Sequence, residues 1–438
     1  MLLDRTLRSR ARRALAQAAV FLGLSSPALA VAAEAPPPRE PLVFVGDPQL
    51  GVETSVRTFD SLGRLAFRYE DILPSPNVGS GALGRLLRFV GRGLELVFLD
   101  EPLAELVAIG VHEVGGHGAR ARELGTRPTY SFFLPGIYRP LFSASTESSV
   151  SGLTMYNTDG IIEGSRAIVG SAGGLEAGHV HAWWINARIV RAQGWVHHGD
   201  LLVYALTKTA YMDSFLSSSL GRRGEQSPND VATYVTELQH LSNGWRAEDR
   251  VRLARRIRAG YVWNLLDPTL LYAMWGTFGL KLFAGERTSR MPLPRIGDLT
   301  FFLSPRYNLS PFGAEQMLDV MLADRRGRML DVYARIGTSG ITSYWGAGAR
   351  TLGIRATDRV TLGGELDVWR QPEVLLDQRG VFDPPQRVGM NASLYGDVQV
   401  TRELGITGKL GAKTPGYMMG LPIDAGLHGY LGISLAMF

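Results

Sequence analysis

Residues 329–336 read MLDVYARI, and apolar and polar side chains alternate along this stretch. The even-numbered residues are all apolar, whereas the odd-numbered ones include an aspartate and an arginine. Because successive side chains of a β-strand point to opposite faces, the alternation predicts a strand with one apolar face. Residues 361–368 and 404–410 alternate in the same way. The region 296–438 therefore predicts about eight antiparallel strands of about ten residues each.

Strands of this length with one apolar face, short turns and frequent glycine are typical of transmembrane β-barrels. The last predicted strand ends at Phe438. A terminal strand ending in Phe, on an exported chain, resembles the outer-membrane proteins of Gram-negative bacteria. The resemblance implies a location in the cell outer membrane, with its lipid as a partner. A soluble antiparallel sheet, and with it a periplasmic location, is the alternative, because its strands alternate in the same way.

The first 30 residues have the composition of a secretory signal. Five arginines precede a short apolar run, residues 14–24, and Ala28-Leu29-Ala30 forms a cleavage site of the A-x-A type. A retained membrane anchor is less favoured, because the apolar run is too short to span a bilayer. A proline-rich linker, residues 31–40, follows.

Charge and cysteine content exclude several classes of function. The net charge is +5, but residues 1–30 contain five Arg and one Asp, and the remainder has 41 basic and 40 acidic residues. A balance this close to zero gives no indication of nucleic-acid binding. The chain has no Cys. Disulfides, thiolate metal sites and Cys nucleophiles are therefore excluded, and any metal must be held by His, Asp, Glu or water.

The central region, residues 80–290, is predicted to be a helical metal-site domain. Asp100 is expected to cap one of its helices, and Asp267-Pro268 is expected to break another. Residues 41–75 look extended and could add strands to the sheet. The whole predicts an α+β fold, in which an apolar helical bundle is inserted in, or precedes, an antiparallel β-barrel of the outer-membrane type. The predicted helices cover residues 86–99, 100–124, 164–193, 201–216 and 248–285.

A possible metal site lies in the second helix, where residues 112–117 read HEVGGH. Zinc hydrolases commonly carry H-E-x-x-H on a helix, with the two His four residues apart on one face. Here His112 and His117 are five apart, so on a regular α-helix their imidazoles would point about 140° apart. A one-residue π-bulge at Gly115-Gly116 would realign them. Alternatively, Glu113 and His117 form the pair that shares a face.

Residues 111–125, VHEVGGHGARARELG, resemble the first catalytic helix of site-2-protease-type intramembrane metallopeptidases. Those helices read roughly H-E-x-G-H-x-x-x-A-R-x-x-G, so this sequence fits after one Gly is deleted. The resemblance implies His112 and His117 as zinc ligands and Glu113 as the general base. It covers about 25 residues, and the extra Gly departs from the pattern between the two ligands.

Three residues are candidates for a third ligand. In the same family an Asp of a later helix binds the metal, and Asn264-Leu265-Leu266-Asp267-Pro268 resembles that context; Asp267 could equally cap the helix that restarts at Pro268. Glu176 and His179 lie three apart on one helix face, a spacing also used in di-iron bundles. His181 is expected in the core, and His197-His198 in an exposed polar turn.

Three functions follow from these patterns. The first is a zinc-dependent hydrolase, most simply a peptidase acting on a peptide or a lipid-embedded substrate, with Glu113 as general base. The second is a non-haem iron or di-iron oxidase, since the pairs His112 and His117, His179 and His181, and His197-His198 resemble the histidine boxes of membrane desaturases. The third is a non-enzymatic outer-membrane barrel with a helical plug.

Overall fold

The computed structural model describes residues 40–72, 81–132, 152–157, 165–210, 212, 215, 230–241, 247–340, 343–373 and 385–436. Residues 39–438 form one compact unit. The predicted signal, residues 1–30, and all but the last residue of the predicted linker lie outside the described residues. So does the end of the last predicted strand, at Phe438.

A ten-stranded antiparallel sheet occupies the C-terminal part of the chain. In chain order the strands are β1 (Leu42–Gly46), β2 (Arg127–Phe132), β3 (Gly152–Asn157), β4 (Trp195–His197), β5 (Thr288–Arg290), β6 (Arg295–Ile296), β7 (Leu299–Ser310), β8 (Gly313–Ala323), β9 (Met329–Gly340), β10 (Trp345–Arg355), β11 (Val360–Pro372), β12 (Gln386–Gln399), β13 (Leu404–Lys413) and β14 (Gly426–Leu435). The sheet runs β1-β14-β13-β12-β11-β10-β9-β8-β7-β6. β2 pairs with β3, and β4 with β5, in two small sheets.

The long strands bury their polar face and expose their apolar face. Along β9 every second residue is buried, and the buried set includes Asp331 and Arg335, whereas Val332 and Ile336 are exposed. Glu365 of β11 is buried in the same way. The alternation predicted from the sequence is confirmed, with the charged side chains on the side that contacts the helices.

The helices follow the predicted positions closely. The break at residues 267–268 is confirmed, because the Asp267 carboxylate accepts a hydrogen bond from the amide of Thr269 (2.9 Å) as the next helix begins. The α-helices are α1 (Val52–Ala66), α2 (Tyr69–Ile72), α3 (Ala82–Glu95), α4 (Glu101–Gly110), α5 (Ala119–Glu123), α6 (Ser165–Arg191), α7 (His198–Thr209), α8 (Asp230–Leu241), α9 (Ala247–Leu265) and α10 (Pro268–Met274).

Three π-helical segments join these helices: Leu96–Asp100, Val111–Gly118 and Trp275–Ala284. The helical path is therefore continuous from α3 to α5 and ends at Gly125, whose φ of 76° terminates a helix at little cost. The prediction that Asp100 caps a helix was wrong. Its backbone is helical, and its buried carboxylate contacts Lys281 instead.

Of the described residues in the segment predicted to be extended, 41–72, only β1 is a strand, and it pairs with β14. Residues 52–66 form α1, because Val52, Val56 and neighbouring small residues recur at helical spacing on its buried face. α8 was not predicted, although Val231, Val235 and Leu238 are buried with the same helical period.

Helix α6 packs against the buried polar face of the sheet. Trp183 donates its indole N–H to Asp331 of β9 (2.8 Å), and Asn186 donates to Ser304 of β7 (3.0 Å). Arg120 of α5 binds Glu176 of α6 through two nitrogens. These buried contacts fix α6 and α5 relative to each other and to the strands.

Among the described helices, none is long and apolar enough to cross a membrane.

Candidate metal centre

The segment that carries His112 and His117 is π-helical, from Val111 to Gly118. In a π-helix the backbone hydrogen bond runs from residue i to residue i+5, so side chains five apart lie on one face. The two Nε2 atoms are 3.1 Å apart. Of the two arrangements considered for this motif, the structure shows the π-helical one, as an eight-residue segment rather than a one-residue bulge, and it brings together the two imidazoles that a regular helix would separate.

Asp230, the first residue of α8, completes a group of three. Its Oδ2 lies 2.9 Å from Nε2 of His112 and 3.0 Å from Nε2 of His117. In a tetrahedral zinc site with bonds of about 2.0–2.1 Å, neighbouring ligand atoms lie about 3.3 Å apart. The three atoms therefore have nearly the spacing of ligands around one ion, and the group could bind a metal.

The second ring nitrogen of His117 fixes the direction of the first. Nδ1 lies 2.7 Å from the carbonyl oxygen of Gly170 in α6. A carbonyl only accepts, so Nδ1 must carry the proton, and the neutral ring then presents a lone pair at Nε2. Metal-binding histidines commonly show this arrangement, which orients the ring and raises its basicity.

The charges around the group favour a cation at its centre. Burial lowers the pKa of His117, but the Asp230 carboxylate outweighs it and raises the pKa to about 9. Burial raises the pKa of Asp230, but His117 and His112 bring it well below its usual value. Asp230 thus favours positive charge at His117, and a divalent cation bound there would displace the proton from the ring.

Glu113 lies on the same π-helical turn but points to strand β3. It is buried, and Thr154 of β3 donates a hydrogen bond to its Oε2 (2.6 Å). The carboxylate is close enough to His117 to raise its pKa. Glu113 is therefore a buried carboxylate on the same π-helical turn as His112 and His117, held by a hydrogen bond from β3.

Three glycines allow the π-helical turn to pack closely. A methyl group on Gly116 would come within 2.4 Å of Cα of Gly174, and one on Gly174 within 2.2 Å of the His112 ring. A methyl group on Gly118 would overlap Tyr130 of β2. By contrast, one on Gly115 would reach only ordinary contact distance, 3.5 Å from Ser55 and Val56.

The structure does not bring Glu176, His179 and Asp267 to this group. Burial raises the pKa of Glu176, but its carboxylate is engaged by the Arg120 guanidinium and the amide of Gly420. Asp267 contacts Lys208 (3.0 Å) and Tyr204 (2.5 Å) besides capping α10.

His179 lies in a positively charged environment. Burial, then Lys208 and Arg306, bring the pKa of His179 well below its usual value. His181, expected in the core, is buried and contacts Asp60 (3.0 Å).

A second set of described residues with metal-binding side chains includes Glu70 at its centre. It comprises the group Glu70, His197 and His198 and the group Glu70, Glu95 and Asp100. The expectation that both histidines are exposed was wrong: His198 is buried beside Glu70 (3.0 Å), and His197 is half-buried, 3.4 Å from Glu70. His197 accepts a hydrogen bond at Nδ1 from Gly199, so in its neutral form it carries its proton at Nε2.

Lys281 makes this second set a poorer metal site. Its Nζ lies 2.7 Å from Glu70, 3.0 Å from Glu95 and 3.3 Å from Asp100. The ammonium group competes with a cation for all three carboxylates. The group of His112, His117 and Asp230 is therefore the best candidate metal centre of the described residues.

Sequence reasoning missed Asp230 because it lies 118 residues from His112 and begins a helix as many acidic residues do. The apolar residues of α8 recur at helical spacing in the sequence. This spacing identifies a helix, but it does not reveal which elements the helix packs against.

Comparison with known protein families, with curated proteins and with solved structures found no match.

We expect Asp230→Asn to weaken metal binding, because it removes the anionic ligand. The loss should exceed the roughly 10- to 100-fold that is typical when a metal ligand loses its hydrogen-bond partner. Metal per chain after dialysis against a graded chelator measures the effect. The matched control is Asp200→Asn, which removes a carboxylate from the first turn of α7. Equal retention of metal by both variants would rule Asp230 out as a ligand.

We expect Gly116→Ala to lower both metal content and the thermal unfolding midpoint, because its methyl group would overlap the backbone of α6. Gly115→Ala, one residue away on the same turn, meets only ordinary contacts and should keep both near the parent values. Calorimetry and metal analysis of the two variants provide the test. If both behaved alike, close packing at Gly116 would not control the centre.

Proposed function

We propose that this protein is a zinc-dependent hydrolase, most simply a peptidase of the bacterial envelope. The observation that carries the proposal is the meeting of His112, His117 and Asp230 within 3.1 Å, with buried Glu113 on the same turn. Two imidazoles and one carboxylate are a known donor set for catalytic zinc, which leaves a fourth position for water or substrate.

In this proposal His112, His117 and Asp230 hold the zinc ion, which supplies Lewis acidity and lowers the pKa of water. Glu113 accepts a proton from the attacking water and returns it to the leaving group. Thr154 donates to one carboxylate oxygen, Oε2, and so orients the Glu113 side chain. Burial of Glu113 and His117 limits competing contact with bulk water.

The same donor set supports the second candidate, a non-haem iron oxidase. Two His and one carboxylate also form the ligand triad of many Fe(II) oxygenases. Glu113 favours the hydrolase, because a buried carboxylate beside the metal serves proton transfer to and from water. One zinc per purified chain would support the first candidate, iron the second, and no metal the third, a barrel with a helical plug.

We also propose that the sheet is an outer-membrane β-barrel whose apolar face contacts lipid. The distribution of side chains supports this. Leu366, Leu394, Leu410 and Leu431 are more than half exposed, whereas charged residues of the other face are buried. Lipid-facing apolar residues that alternate with polar ones facing inward are characteristic of such barrels. A peptide or lipid-embedded substrate would then reach the helical part near the membrane.

We expect Glu113→Gln to retain metal but to lose hydrolysis by about 100- to 10,000-fold, the usual contribution of a general base. Zinc per chain and peptide hydrolysis are measured on the same preparation. Glu101→Gln, in the first turn of α4, is the control and should keep both. If Glu113→Gln lost metal and kept full activity per bound ion, Glu113 would not be the base.

For the barrel, we expect the protein to fractionate with the outer membrane and to migrate faster on gels before heating than after it. Closed barrels resist unfolding in detergent at room temperature, because all their strand edges are paired. Recovery of the protein in the soluble periplasmic fraction, with a single gel mobility, would contradict this proposal.

A further inference from the structure

Arg122 of α5 connects the π-helical turn Val111–Gly118 to two other parts of the fold. Its Nη2 donates to the carbonyls of Val114 (3.2 Å) and Leu50 (2.6 Å), and its Nε donates to the carbonyl of Gln49 (2.7 Å). Its Nη1 donates to the hydroxyl of Tyr130 in β2. A guanidinium holds five donors in one rigid plane, whereas a lysine offers a single compact ammonium. Arg122 therefore suits four acceptors that belong to three different elements.

The backbone before α1 is shaped to present a carbonyl to this side chain. Leu50 has a φ of 49°, in the left-handed region that residues with a Cβ rarely adopt. Its side chain is 49% exposed, so burial of the leucine does not offset this strain. Its carbonyl, in contrast, accepts hydrogen bonds from Arg122 and from the Ser55 hydroxyl (3.0 Å). The strained conformation is therefore held through the carbonyl, and Arg122 is one of the two side chains that hold it.

The paired strands β2 and β3 contact one face of the π-helical turn. Glu113 and Gly118 are five residues apart in this π-helical segment and therefore share a face. The Tyr130 ring packs on Gly118, where a methyl group would overlap its hydroxyl. Thr154 of β3 donates to Oε2 of Glu113 (2.6 Å). Both contacts thus lie on the face that carries the proposed base.

The register of β2 and β3 places the two contacting side chains next to each other. Tyr130 lies directly opposite Thr154. Residues that are directly opposite in an antiparallel pair point to the same face, with Cβ atoms about 4.5–5.5 Å apart. Burial raises the pKa of Tyr130, Arg122 lowers it and Glu113 raises it, so the phenol lies within reach of both charges. One cross-strand pair therefore links the guanidinium to the Glu113 carboxylate.

We propose that Arg122 is a positioning residue, which holds β2 and β3 against the π-helical turn and thereby fixes the Glu113 carboxylate. The guanidinium takes no part in the reaction itself. Its effect on catalysis rests on the proposed function, because Glu113 acts as a base only if the protein is a hydrolase. Its hold on the two strands does not rest on that function and is measured separately.

We expect Arg122→Met to lower the kcat of peptide hydrolysis about 10- to 100-fold, because the base loses its fixed direction. KM and zinc per chain should stay near the parent values, since the variant removes neither a ligand nor a substrate contact. Arg127→Met, at the exposed start of β2, is the matched control and should keep the parent kcat.

A second variant tests whether Arg122 acts through the strands. Thr154→Val removes the hydroxyl that binds Glu113 and should lower kcat by a similar factor. Because both side chains are expected to act through one connected set of contacts, the double variant should lose little more than either single variant. Losses that multiply in the double variant, or full kcat in Arg122→Met, would overturn the positioning role.

Hydrogen exchange provides a readout that needs no activity. Amides of residues 127–132 and 152–157 should exchange at least about tenfold faster in Arg122→Met, whereas α6 keeps its protection. If Arg122→Met does not accumulate as folded protein, Tyr130→Phe, which removes only the hydroxyl that Arg122 binds, takes its place. Unchanged exchange in both strands would show that Arg122 does not hold them. If the parent hydrolyses no peptide but the variant still releases both strands, the hydrolase proposal fails and the hold on the strands stands.

Discussion

The close approach of Gly116 to the Gly173-Gly174 pair sets the distance between the π-helical turn and α6. At that distance the backbone of Gly170 accepts the Nδ1 proton of His117, which turns Nε2 toward His112 and Asp230. A larger side chain at the contact would push the helices apart and remove the orientation of the ring. The candidate centre therefore depends on the absence of side chains as much as on the ligands themselves.

The same helix, α6, connects the centre to the sheet. Its glycines contact the π-helical turn, Glu176 binds Arg120, and Trp183 and Asn186 reach strands β9 and β7. Fully buried charges that lack a partner are rare in proteins, because the desolvation of a charge is expensive. Here the partners come from different elements, so each ion pair also fixes the relative position of two parts of the fold.

Local patterns in the sequence predicted the local features. The period of the strands and the break at Asp267 depend on neighbouring residues, and both are present. The π-helical turn was one of two arrangements that the spacing of His112 and His117 allowed. The third member of the group could not be predicted this way. Asp230 meets His112 only through tertiary packing. Glu176 and Asp267 looked suitable as ligands because no sequence pattern reveals that Arg120 binds the first carboxylate and Lys208 the second. His179 looked suitable because of its spacing from Glu176.

The pairing of β1 with β14 has a consequence for the order of assembly. One strand comes from the beginning of the described chain and the other from its end, so this pairing closes a loop that contains every described helix and every other described strand. Closing so long a loop is entropically slow compared with forming the hairpins β7 to β13. The hairpins and the helical region can therefore form while the edge of β14 is still open, and a cell must keep that edge from pairing with other chains until β1 reaches it.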